Sequence, residues 1–171
     1  AVSPSGSLPD TWWVDNKLNP VQNNFGASIY KGADQFNLGN RFDRYVVYQE
    51  GIYLGYKYTE TRYEDVVLGT PNAGDYNWSD VVAYPFGHGL SYTSFDFSDM
   101  KVEKSGEGAD AVYTVTVTVT NTGDAAGKKT VQVYAQKPYT EYDKQNQIEK
   151  ASAELVGYGK PGILQPGESQ T

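Results

Sequence analysis

The sequence contains no cysteine. That absence excludes disulfides, thiolate metal sites and a cysteine nucleophile together, and it leaves the compartment undecided. Histidine is almost as scarce, with His88 the single example. Any metal would therefore need oxygen ligands, and Asp96, Asp99 and Asp110 lack the spacing and central glycine of a calcium loop. No apolar run approaches the roughly 20 residues that cross a bilayer. Basic residues are few and dispersed: 14 Lys and Arg stand against 21 Asp and Glu, for a net charge of −7. The largest cluster is Lys128-Lys129, so neither a nucleic acid nor an anionic membrane surface is the expected partner. There is no internal repeat, and no segment of helical period longer than about ten residues stands out. Gly87 and Gly89 lack the G-x-G-x-x-G pattern and following helix of a dinucleotide loop.

The 171 residues fit one ordinary domain, or a small domain with part of another. The chain opens on Ala1-Val2-Ser3-Pro4, with no initiator Met and no signal-peptide pattern. It stops at Gly167-Glu168-Ser169-Gln170-Thr171, where a strand is expected to begin. Both ends read as cuts in a longer sequence. Tyrosine is abundant, 15 against six Phe and three Trp. A ring with a polar tip suits interfaces and sugar-binding surfaces, but a β-rich protein also uses it as a strand former, and that plainer reading is preferred.

Residues 1–40 are rich in Gly, Pro, Asn and Ser, without a sustained period, and read as extended, loop-like chain. Tyr45-Val46-Val47-Tyr48 and Ile52-Tyr53-Leu54-Gly55-Tyr56-Lys57-Tyr58 predict short buried strands, or a strand and a tight turn. Residues 60–82 turn polar and read as a surface loop or insertion that carries Tyr76 and Trp78. From Tyr92 the texture changes. Phe95 and Phe97 begin an alternating segment, and then Tyr113, Val115, Val117 and Val119 alternate with Thr114, Thr116, Thr118 and Thr120. That period of two predicts a strand with the first set facing inward. Asn121-Thr122-Gly123-Asp124 predicts a turn, Thr130 to Gln136 a strand with Val131, Val133 and Ala135 inward, and Ala153 to Tyr158 another, after a polar connection. Pro161-Gly162 and Pro166-Gly167 break the chain. Short strands between turn signals describe an antiparallel β-sandwich with too few strands to close.

Candidate chemistry is thin. His88 could pair with Ser91 or Ser94, but neither serine lies in a G-x-S-x-G elbow, and a structural histidine between two turn glycines is preferred. Glu50, in an aromatic setting, is the most suggestive carboxylate for acid–base work, because apolar neighbours raise a carboxyl pKa. The competing and preferred reading is a turn carboxylate bonded to backbone amides or paired with Arg41 or Arg44.

Four blocks, in order, resemble glycoside hydrolase family 3. Tyr84-Pro85-Phe86-Gly87-His88-Gly89-Leu90-Ser91-Tyr92-Thr93-Ser94-Phe95 is similar to its signature Y-P-F-G-x-G-L-S-Y-T-x-F. Pro4-Ser5-Gly6-Ser7-Leu8-Pro9-Asp10-Thr11-Trp12 is similar to its P-S-G-[KR]-L-P-x-[ST]-[WF] block, with Ser7 in place of the basic residue. Tyr48-Gln49-Glu50-Gly51-Ile52-Tyr53-Leu54-Gly55-Tyr56-Lys57-Tyr58 resembles Y-x-E-G-I-Y-V-G-Y-R-Y. Glu154-Leu155-Val156-Gly157-Tyr158-Gly159-Lys160 and Leu164-Gln165-Pro166-Gly167-Glu168-Ser169 resemble its fibronectin type III-like domain.

The resemblance implies a mixed architecture. Residues 1–91 are expected to form the C-terminal portion of the family's α/β sandwich domain, and residues 92–171 a truncated fibronectin type III-like antiparallel β-sandwich. It implies a retaining β-glycosidase acting on a β-linked saccharide without a cofactor, with the remaining domains of the same enzyme as partners and a homo-oligomer left open. The family's nucleophilic Asp belongs to a barrel domain, and its acid/base Glu to a block that precedes P-S-G-x-L-P. No residue here, Glu50 included, is expected to be catalytic, and no metal is expected. The long stretch from Thr61 to Val82 resembles a subgroup in which the barrel follows the fibronectin-like domain. Family resemblance places this stretch at the active-site rim, making Trp78 and Tyr76 the candidate substrate-binding residues, against a reading in which the rings pack on their own domain. The alternative of a different class is a non-catalytic carbohydrate-binding or cell-surface β-sandwich module, based on the Tyr and Trp content.

Overall fold

In a computed structural model, residues 2–25, 28–29, 44–71 and 73–171 are described. The helices are α1 (Pro20–Asn24), α2 (Tyr56–Leu68), α3 (Trp78–Val81) and α4 (Glu141–Asn146). The strands are β1 (Trp12–Trp13), β2 (Ser28–Ile29), β3 (Arg44–Tyr45), β4 (Val82–Tyr84), β5 (Phe95–Ser105), β6 (Val112–Asn121), β7 (Val131–Gln136), β8 (Ala153–Gly159) and β9 (Ser169–Gln170). The chain is a mixed α and β structure whose recorded strand ladders are antiparallel. It divides into two compact units: Ala1–Pro9 with Gly87–Ala135 and Glu154–Thr171, and Asp10–Phe86 with Gln136–Ala153. Neither unit is one continuous stretch.

The first unit is built on the strands that alternation predicts. β5 pairs with β6 from Phe95↔Asn121 to Ser105↔Val112, with a bulge between Ser98 and Lys101 where Asp99 takes φ 52°. β9 adds to the other edge of β6, and β7 pairs with β8. Along β6 burial deepens toward the C-terminal end: Val115 and Val117 are half-buried and Val119 is 3% exposed. Tyr113 departs from expectation. It is 61% exposed, because alternation fixes which face a residue points from, while cover depends on what packs there. Phe97 is likewise exposed.

A second departure concerns Asn121. It is the last residue of β6, not the first of a turn, and its side chain is fully buried. Its Oδ1 accepts from Thr93 Oγ1 (2.6 Å) and Gly123 N–H (3.1 Å), and its Nδ2 donates to the carbonyls of Ala125 and Leu164 (both 2.8 Å). One carboxamide thus ties together three stretches of chain. The signature glycines are explained in the same unit. A Cβ on Gly89 would meet the Gly6 carbonyl, and one on Gly123 would meet Thr93. Leu8 N–H donates to the His88 carbonyl (2.8 Å), and Gly87 N–H to the Leu8 carbonyl (2.9 Å). The P-S-G-x-L-P and F-G-x-G-L-S-Y blocks are therefore two sides of one close backbone approach.

The second unit is more helical than the sequence suggests. Residues 56–68, expected as strand running into loop, form the 13-residue helix α2. Gly55, at φ 54°, precedes it, and Gly69, at φ 62°, closes it by donating to the carbonyls of Asp65 and Val66. Thr59 is its only buried residue, so the helix has no apolar stripe for periodicity to detect. Residues 45–48, expected to be buried, are exposed, Tyr48 by 80%, with only Arg44–Tyr45 paired, to Ser28–Ile29. The stretch read as loop before residue 40 includes β1, a 3-10 turn (Asn16–Leu18) and α1. The polar connection after β7 contains α4, opened by a capping box between Thr140 and Asp143. Aromatic contacts knit the unit: Trp12 meets Tyr84 edge-on (6.1 Å), Trp13 meets Tyr58 (6.1 Å) and Tyr56 meets Phe86 (4.8 Å).

Candidate functional site

The two aromatic residues singled out by the sequence lie beside α2. After Gly69, Thr70 Oγ1 donates to Asp65 (2.6 Å) and Ala73 N–H to the Thr70 carbonyl (3.0 Å), folding the chain back along the helix. Arg62 fixes that return by donating to the Ala73 carbonyl (3.1 Å), and its guanidinium lies 5.2 Å from the centre of the Tyr76 ring. Such a placement favours the cation over the ring's negative face. The Tyr76 hydroxyl donates to the Thr59 carbonyl (3.4 Å). Burial is the main reason its pKa is pushed up to about 12, with Tyr58 and Glu60 adding to it and Arg62 opposing.

Trp78 opens α3, and its indole N–H donates to Glu60 Oε1 (3.1 Å). Burial raises the Glu60 carboxyl above its ordinary range, and the indole hydrogen bond partly offsets this. Both rings are half-buried. They are thus held in fixed orientations by α2, each with its polar atom engaged and part of its surface accessible. The arrangement offers an aromatic surface, a carboxyl of raised pKa and a guanidinium within one short stretch. Glu60 was not anticipated, because it lies 18 residues from Trp78 in sequence and its helix was not legible.

The other candidates lie elsewhere. Glu50 is 8% exposed; its Oε1 accepts from Asn24 Nδ2 (2.9 Å), and its Oε2 has no partner among the described residues. The Asn24 bond and backbone amides lower its pKa against the opposing effect of burial. A carboxyl held low does not keep a proton for a leaving group at neutral pH. The expected pairing with Arg41 or the Arg44 side chain lies outside the described residues. His88 is half-buried. Ser91 Oγ is 2.9 Å from Ser3 Oγ and accepts from Thr93 N–H (3.3 Å). Among the described residues no group of three His, Cys, Asp or Glu could hold a metal ion, and no helix is long and apolar enough to cross a membrane.

No family model matches the chain. It is 34% identical over 170 residues to the thermostable β-glucosidase B of Acetivibrio thermocellus, covering 99% of this chain and 18% of that protein. It is 37% identical over 183 residues to β-glucosidase A of Butyrivibrio fibrisolvens, again covering 99% and 18%. Among solved structures it is similar to a β-glucosidase of Paenibacillus barengoltzii, with a TM-score of 0.71 and 35% identity over 99% of this chain and 14% of that one. A GH3 β-glucosidase of Bifidobacterium adolescentis gives 0.69 and 31%, over 99% and 19%. The chain spans less than a fifth of the length of these relatives.

Proposed function

We propose that this chain, which matches β-glucosidases along 99% of its length, a GH3 enzyme among them, is a non-catalytic segment of a retaining β-glycosidase of glycoside hydrolase family 3, serving as scaffold and active-site rim. The observation that carries this reading is the match to β-glucosidases along 99% of the chain. The parent enzyme works by double displacement: an Asp attacks the anomeric carbon, and a Glu protonates the leaving oxygen and then activates water. Neither residue falls in the blocks present here. Residues 1–91 are assigned to the end of the α/β sandwich domain and residues 92–171 to a fibronectin type III-like sandwich. The paired strands β5 to β9 support the second assignment.

Tyr76 and Trp78 are proposed to contact the leaving-group portion of a β-linked saccharide. Their support is the half-exposed rings oriented by Thr59 and Glu60. The test is Trp78→Ala in the parent enzyme. KM for oligosaccharides rises more than KM for small aryl glycosides, by the equivalent of about 1–3 kcal/mol if the stacking is comparable to that of bases on aromatic rings. Equal losses on both substrates assign Trp78 to packing alone.

A further inference from the structure

In the first unit β6 is paired along one edge and open along most of the other. β5 follows it from Val112 to Asn121, with one bulge, whereas β9 lies opposite Val119 and Thr120 alone. On the β9 side, Asn121 N–H donates to the Glu168 carbonyl (2.9 Å) and the Asn121 carbonyl accepts from Gly167 N–H (2.8 Å). Backbone groups alternate between the two edges of a strand. Tyr113, Val115 and Val117, which share the parity of Asn121, therefore turn their N–H and C=O groups to this same side. Among the described residues none of these groups has a partner.

Natural edge strands are guarded by a charge, a proline, a bulge or a cover. β6 has no charged residue, no proline and no glycine from Val112 to Asn121, and the bulge lies on β5, at the other edge. Val112, Tyr113, Thr114 and Thr116 are exposed. Free N–H and C=O groups at strand spacing call for another strand. The sequence of β6 suits a second copy of itself. Set antiparallel about a two-fold axis at Val115, residue 113 faces 117, 115 faces 115 and 114 faces 116. Each residue with outward backbone groups then meets another such residue. Valine and tyrosine meet valine on one face, threonine meets threonine on the other, and no like charges oppose one another although the chain carries −7. The ladder ends before Thr118, whose hydroxyl lies 3.0 Å from that of Thr171, so β9 keeps its place.

We propose that the open edge of β6 pairs with the same edge of a second copy of this chain, joining residues 113–117 into a two-fold dimer. This pairing follows from the strand's own chemistry and not from the function proposed above. An interface of five residues a side falls well below the roughly 1,200 Å² of stable complexes, so the dimer is weak and concentration-dependent.

The test is sedimentation equilibrium of the 171-residue chain from about 5 μM to about 500 μM, the range in which a small interface forms and dissociates, together with amide hydrogen exchange at both extremes. The expected result is a mass that rises from monomer toward dimer and no further. The amides of Tyr113, Val115 and Val117 exchange about fivefold or more slowly at the higher concentration, while those of Thr114 and Thr116, which point to β5, change little. Val115→Pro removes a donor from the open edge and none from the β5 ladder, and it is expected to keep the chain monomeric. The double variant Thr114→Lys, Thr116→Lys places lysines opposite one another from two exposed positions, is likewise expected to be monomeric, and keeps the test decisive if proline disturbs the sheet. A monomer throughout the range, association unaltered in the double lysine variant, growth beyond the dimer, or protection arising elsewhere than residues 113–117 overturns the proposal.

Discussion

Asn121 and Asp143 are buried polar side chains whose hydrogen bonds come from both backbone and side chains. Removing the Asn121 carboxamide leaves the Ala125 carbonyl and the Gly123 N–H without that partner, while the Leu164 carbonyl keeps its bond from Gly127 N–H (3.1 Å). Buried backbone groups stripped of partners cost about 1–3 kcal/mol each, so Asn121→Leu is expected to destabilise by at least about 2 kcal/mol in denaturant titration. Thr118→Ala, which removes a hydroxyl at the surface, is expected to stay within about 0.5 kcal/mol. Asp143 receives bonds from Lys150 Nζ and from the Thr140 hydroxyl and N–H. These lower its pKa from 3.8 to about 2. A carboxylate depressed on folding contributes stability above its unfolded pKa, and that contribution is lost as pH falls through the folded value. Melting temperature is therefore expected to drop between about pH 4 and pH 2, more steeply than in Asp143→Asn. Glu60 has the opposite sign. Its raised pKa means burial of the charge opposes folding at neutral pH, while Oε1 still serves Trp78. Glu60→Gln, which keeps an acceptor, is expected to melt at least as high at pH 7 as the parent, and Glu60→Ala lower.

At the level of elements, caps define the two longer helices of the second unit. Gly69 occupies the left-handed conformation at the end of α2, where a Cβ has open space but an unfavourable backbone. Gly69→Ala is expected to cost about 1 kcal/mol. Thr140→Ala removes the cap of α4, and a similar loss of about 1 kcal/mol is expected, read by the same titration. Why β6 was legible and α2 was not follows from what each buries. Val115, Val117 and Val119 alternate with threonines whose hydroxyls face other hydroxyls, Thr118 to Thr171 and Thr120 to Ser169. Such a pattern has only one geometric reading. α2 instead presents aromatic and β-branched residues on a surface helix: Tyr63, Val66 and Val67 are exposed. Those residue types favour strands, and with Gly55 before Tyr56-Lys57-Tyr58 the local chemistry pointed to a strand and turn. Gly69 followed by Thr70, a glycine C-cap at the end of a run containing Glu60, Arg62, Glu64 and Asp65, was the signal available. Tyr113 shows the complementary limit, since its face was readable but the extent of cover was not.

For the whole molecule, the family blocks and the compact units explain each other. The P-S-G-x-L-P and F-G-x-G-L-S-Y blocks meet in one backbone approach that tolerates no Cβ at Gly89, so their residue types reflect packing and not catalysis. The candidate site was legible in part. Tyr76 and Trp78 stood out as large rings in a polar stretch, whereas Glu60 and Arg62 depend on a helix and on residues distant in sequence. On the proposed function this chain supplies scaffold and rim but no catalytic carboxylate. The decisive measurement is turnover of an aryl β-glucoside by the purified 171-residue chain. No release of the aryl group above the buffer rate is expected. Steady turnover that Glu50→Gln abolishes would contradict it and restore Glu50 as a catalyst.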